Sequence, residues 1–153
     1  MSAEQRLKEL GLELPPPARP VASYVPVVIS GDLAFVSGQV PMAEGKLLWS
    51  GKVGADLDVA VGAEAARRCG LQCLSSLRAE LGSLDRVRRV VKVSVYVASA
   101  PGFVDLPKVA NGASDLLVEV FGDAGRHARV AVSSPELPLG APVEIELIAE
   151  ISR

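Results

Sequence analysis

Between Val143 and Ile151 the sequence alternates without a break. Val143, Ile145, Leu147, Ala149 and Ile151 fall on one set of positions; Glu144, Glu146, Ile148, Glu150 and the following Ser152 fall on the other. A side-chain period of two describes a strand with one face on a core. Such a strand needs neighbours in a sheet and a second layer over its apolar side. Upstream, an apolar run opens at His127-Ala-Arg129, and the turn-rich segment Pro135–Pro142 separates the two. Read as a pair of strands, these runs bring Arg129 and Glu144 to facing ends. A cation and a carboxylate on rigid elements could then hold a small anionic substrate.

The chain has 153 residues, enough for one domain with a proper core and too few for two comfortable ones, so residues 1–153 are expected to form a single unit. Its apolar content is mostly Val, Ala and Leu, with only 4% aromatics, which suits a sheet covered by helices. A net charge of -2 does not suggest a nucleic-acid partner. The opening MSAEQRLKELGLELPPP carries charges and no apolar signal core. No apolar run approaches the roughly 20 residues that span a bilayer. The expected setting is the cytoplasm, with no membrane contact. Cys69 and Cys73, four residues apart on a predicted helix, read as buried thiols in a reducing compartment, and no metal site is expected.

Residues 2–11 form a short amphipathic helix in an N-terminal extension over 1–17, ended by Gly11 and the Pro15-Pro-Pro17 run. Val21–Ile29 reads as a strand, interrupted by Pro26 and so at an edge or bulged. Ser30-Gly31-Asp32 is a turn, and Leu33–Ser37 completes a hairpin. Lys46–Trp49 is a short third strand. A long helix starts at Asp56 or Asp58 and runs to Leu81, with Gly82 as its stop. Its Gly62 and Gly70 either weaken it locally or permit close approach to the sheet. Val87–Ala98 is a strand with Val91, Val93, Val95 and Val97 on one face. A second helix runs from about Val104 to Phe121, with Pro107 in its first turn. The order is β-β-β-α-β-α-β-β. It predicts an α+β fold, a mixed sheet with both helices on one face. The other face is apolar and uncovered, which points to an oligomer.

Within this layout, Leu33-Ala-Phe-Val-Ser-Gly-Gln39-Val-Pro41 resembles the Ser-Gly-Gln signature of the RidA/YjgF family. His127-Ala-Arg129, Leu137-Pro138 and Val143-Glu-Ile-Glu146 resemble its closing signature, and Tyr24, seven residues before Gly31, matches a family tyrosine. The resemblance covers about residue 18 to the C-terminus. It implies a chorismate-mutase-like fold and a homotrimer with ligand clefts between subunits. It also implies hydrolysis of 2-imino acids, or their enamine tautomers, to 2-oxo acids and ammonia, with no cofactor. Arg129 would grip the substrate carboxylate with two parallel hydrogen bonds, which lysine cannot do. Glu144 would orient or activate water. Backbone near Gly38 and Ala131 would donate hydrogen bonds, and Tyr24 and Ser37 would line the cleft.

Two departures separate this chain from the commoner pattern, which has proline before Ala-Arg and a small polar residue, often cysteine, after it. Here the runs are Gly125-Arg-His-Ala-Arg129-Val-Ala131 and Asn111-Gly-Ala-Ser-Asp115. They are similar to a sibling branch. Asn111 and Asp115 are candidate site residues on the second helix. His127, the only histidine, either rims the cleft or sits in a turn. Glu146 and Glu150 are alternative partners for Arg129. A carboxylate-binding trimer without turnover and a chaperone-like interaction protein are the other functional readings.

Overall fold

The computed structural model describes residues 1–19 and 22–153. Among the described residues, three α-helices, α1 (Ala3–Glu9), α2 (Val59–Leu81) and α3 (Leu106–Phe121), accompany seven strands. These are β1 (Val27–Ser30), β2 (Leu33–Gln39), β3 (Met42–Ala43), β4 (Lys46–Leu47), β5 (Val87–Ala98), β6 (Ala128–Ser134) and β7 (Val143–Ile151). Five strands form one mixed sheet in the order β1-β2-β7-β5-β6. Only β5 and β6 run parallel; the other pairs are antiparallel. This is an α+β fold with α2 and α3 over one face of the sheet.

The alternating strand sits at the sheet's centre. Val143, Ile145, Leu147, Ala149 and Ile151 are buried beneath the helices. Against them lie Ala65, Ala66, Cys69, Cys73, Leu74 and Leu77 of α2. Each fully buried Leu or Val contributes about 1.5–3 kcal/mol of hydrophobic stabilisation. Cys69 and Cys73 are free and buried, and their thiols donate to the carbonyls of Val143 and Ile145. Burial pushes both thiols well above their usual range. They are core groups at the interface of helix and sheet.

Several boundaries follow the sequence signals directly. Asp58 caps α2 by accepting from the Val61 amide, and Gly82 ends the helix in the left-handed region. Ser2 and Gln5 form a capping box at the head of α1. That helix is docked and does not trail as a loose extension: Leu7 is buried, and Glu4 accepts two hydrogen bonds from Arg78 and one from the Leu84 amide.

Four expectations need correction. The strand expected over Val21–Ile29 starts only at Val27, because Pro26 has no amide hydrogen for the ladder; Val21 itself lies outside the described residues. The expected third strand, Lys46–Trp49, is not part of the main sheet. Lys46–Leu47 instead pairs with Met42–Ala43 in a separate two-stranded hairpin. In β5, Val90 is buried and Val91 exposed, the reverse of strict alternation. Register shifts at Arg88 and Val91 insert extra residues opposite β7 and turn the strand's faces over. Finally, β6 and β7 do not form a hairpin, because β5 lies between them.

The glycines of α2 also face a different neighbour. A Cβ at Gly62 or Gly70 would press on Val109 or Leu116 of α3, and one at Gly112 of α3 would collide with the Ala63 carbonyl. The close approach is helix to helix. No helix of the described residues is long and apolar enough to cross a membrane.

Candidate functional site

Arg129 stands on β6, the sheet's edge strand, level with Val93 of β5. Paired residues share a face, so Arg129 points to the helix side of the sheet. There it meets α3. Its Nη1 donates to Asn111 Oδ1 at 2.8 Å and to Ser114 Oγ at 3.1 Å. Asn111 and Ser114 are three residues apart and therefore share a helix face. Ser114 Oγ also lies 2.9 Å from His127 Nε2, and His127 Nδ1 lies 2.7 Å from the Gly125 carbonyl oxygen. Burial is the main influence that lowers the His127 pKa, and the nearby Arg129 cation lowers it further. The Gly125 contact opposes them. The two motifs that distinguish this chain, Asn111–Asp115 and Gly125–Arg129, are thus one hydrogen-bonded unit.

Nη1 spends both its hydrogens on neutral acceptors. No carboxylate among the described residues lies within ion-pair distance of Arg129. The alternative partners are engaged elsewhere: Glu146 accepts from the Tyr96 hydroxyl at 2.9 Å, and Glu150 stands 3.9 Å from Arg88. The Nε–H and Nη2–H edge of the guanidinium has no hydrogen-bond partner among the described residues. That edge is the planar fork that matches a carboxylate. Ala131, two residues on, shares the helix-side face and packs half-buried against the core.

Glu144 lies elsewhere. It is level with Tyr96 on β7, on the face away from the helices. Relative to Arg129 it is three residues along the sheet and two strands across, roughly 10 Å in each direction, and on the opposite side. One chain does not bring the two together, contrary to the expectation of facing strand ends. Burial raises the Glu144 pKa, and the neighbouring Glu146 carboxylate raises it further.

Of the other expected residues, Gly38 lies against Glu144. A Cβ at Gly38 would lie 2.7 Å from Glu144 Oε2, so only glycine leaves the carboxylate its place. Gly38 sits where the β2–β7 register shifts between Val36 and Gln39. The preceding Ser37 donates from Oγ to the Val25 carbonyl at 2.7 Å and from its amide to the Pro26 carbonyl at 2.8 Å. Its hydroxyl hydrogen is used to pin the segment that carries Tyr24. Tyr24 and Gly38 line a cleft of about 520 Å³ together with Met42, Arg68 and Gln72. Asp115 is exposed and makes no contact with Arg129, so of the two helix candidates only Asn111 joins the cluster. Sequence reasoning passed over Ser114, although its spacing from Asn111 was the available signal.

A family model described as "YjgF/chorismate_mutase-like, putative endoribonuclease" matches residues 4–151, so the match takes in α1 as well. Protein TCP17 of Trypanosoma cruzi is 48% identical over 147 residues, covering 95% of this chain and 92% of that protein. The crystal structure of Atu1372 from Agrobacterium tumefaciens, of unknown function, is 49% identical with a TM-score of 0.90, covering 99% of this chain and 94% of that one. A Shewanella oneidensis structure named "a putative endoribonuclease" reaches a TM-score of 0.95 at 37% identity, covering 99% of this chain and all of that one. This chain belongs to the RidA/YjgF family.

Proposed function

We propose that the protein hydrolyses 2-imino acids, or their enamine tautomers, to 2-oxo acids and ammonia without a cofactor, in the cytoplasm. The observation that carries this reading is the open fork of Arg129. A guanidinium held at one nitrogen by Asn111 and Ser114, with its other edge unpaired, suits a small carboxylate. Glu144, with its raised pKa, supplies the base. It takes a proton from water as the oxygen bonds to the imine carbon and the C=N electron pair moves to nitrogen, which takes a proton from solvent. Protonated Glu144 then gives its proton to the amino group of the carbinolamine, and ammonia leaves as the hydroxyl loses its proton to solvent and the C=O bond forms.

Arg129 and Glu144 face opposite sides of one sheet, so this chemistry needs two copies of the chain. One contributes Arg129, Asn111 and Ala131; its neighbour contributes Glu144, Tyr24, Ser37 and Gly38. The assembly proposed is a homotrimer. Exposed Val28, Phe35, Val130 and Val132 on the helix-free face support an apolar contact between copies. Light scattering at micromolar concentration should give three times the chain mass. A stable monomer would rule out the shared cleft.

Turnover of 2-iminobutanoate generated in situ tests the activity. Glu144→Gln keeps the shape of the side chain and loses its basicity. It should retain 2-oxobutanoate binding and slow hydrolysis by about 10²–10⁴-fold. In the unaltered protein the rate should fall on acidification, as Glu144 is protonated, at a pH above the usual carboxylate range. Full hydrolysis in the variant would remove Glu144 from the mechanism.

A further inference from the structure

We infer that His127, acting through Ser114, is a positioning residue for Arg129. The inference rests on the reading of Arg129 as the carboxylate anchor. The hydrogen-bond geometry sets the direction of every proton in the chain of contacts. A carbonyl oxygen only accepts, so the 2.7 Å contact to Gly125 places a hydrogen on His127 Nδ1. In the neutral ring Nε2 is then an acceptor. Ser114 Oγ, at 2.9 Å, can only donate to it. With its one hydrogen committed there, the hydroxyl presents lone pairs to Arg129 Nη1 at 3.1 Å. Asn111 Oδ1 takes the second Nη1 hydrogen at 2.8 Å.

Without the histidine, Ser114 is free to rotate its hydrogen toward the guanidinium or to pair with a backbone carbonyl. The second acceptor at Nη1 is then lost part of the time. Asn111 alone leaves the guanidinium free to swing about a single hydrogen bond. The Nε–Nη2 fork is then no longer aimed before the substrate arrives, and ordering it costs affinity. The effect falls on a ligand that carries a carboxylate. A neutral ligand in the same cleft meets the fork only through uncharged carbonyl oxygens and depends less on its alignment.

Two measurements test this. The first needs no ligand, and its ring measurement needs no variant. ¹⁵N spectra of the histidine ring in the unaltered protein should give the neutral Nδ1–H form. Arginine ¹⁵N spectra should give slow rotation of the Arg129 guanidinium, and His127→Leu and Ser114→Ala should each speed it. An Nε2–H ring, or rotation unchanged by His127→Leu, overturns the inference.

The second is a double-mutant cycle on 2-oxobutanoate binding, with 2-oxobutanamide as the neutral control. His127→Leu and Ser114→Ala should each weaken 2-oxobutanoate binding by roughly tenfold, as expected for one hydrogen bond to a charged group. The double variant should lose no more than Ser114→Ala alone, and amide binding should weaken less than carboxylate binding. Losses that multiply mean that His127 acts independently of Ser114, and overturn the inference. If the unaltered protein fails to bind 2-oxobutanoate while the ¹⁵N results hold, the contact chain stands and the carboxylate reading of Arg129 fails.

Discussion

Arg129→Lys is expected to lose nearly as much affinity for 2-oxobutanoate as Arg129→Ala. Lysine keeps the charge but has no planar pair of donors. It also cannot satisfy Asn111 and Ser114 and still present two parallel hydrogen bonds to a ligand. Hydrogen bonds to charged groups are worth about 1.5–3 kcal/mol, roughly ten- to hundredfold in Kd. Titration calorimetry on the three proteins measures this. If the alanine variant stays folded and binds as the parent does, Arg129 is not the carboxylate anchor. If lysine substitutes fully, charge alone suffices and the fork has no role.

Gly112→Ala should lower the melting temperature by roughly 4–8 °C. Alanine favours a helix interior by about 1 kcal/mol over glycine. Here the added methyl falls on the backbone of Ala63, which cannot step aside without moving α2. Overpacking at such a contact costs about 1–3 kcal/mol, occasionally more, and a rigid backbone obstacle puts this site at the upper end. In a chain of this length each kcal/mol shifts the midpoint by about 2–4 °C, so the collision outweighs the propensity gain. Because Gly112 lies between Asn111 and Ser114, the same change should also loosen the Arg129 unit. Differential scanning calorimetry reports the midpoint, and a midpoint that holds or rises would show that α2 and α3 do not approach this closely.

What the sequence made legible was mostly local. The ends of β5 and β7 follow from their alternating apolar pattern, and the cap at Asp58 and the stop at Gly82 follow from backbone chemistry. Long-range pairing was not legible. Nothing between Arg129 and Val143 announces that β5 inserts between β6 and β7, because strand order is decided by packing across the whole sheet. The bulges in β5 were hidden for a related reason. Val90 and Val91 are equally apolar, and only the register with β7 decides which is buried. At the site, Arg129 and Asn111 were found from their motifs, and the structure brings them together. Arg129 and Glu144 were expected side by side, and the same misjudged pairing is why they are not.

Subunit mixing tests the shared cleft most directly. Arg129→Ala and Glu144→Gln proteins are each expected to be inactive in imine hydrolysis as pure trimers. Denatured together in equal amounts and refolded, they form a mixture of trimers in which, taken over all trimers, about one cleft in four combines an intact Arg129 from one copy with an intact Glu144 from the next. Activity should return in the mixture to about a quarter of the parent's. A mixture as inactive as either pure variant, with mixed trimers confirmed by mass, would contradict a site built across two copies.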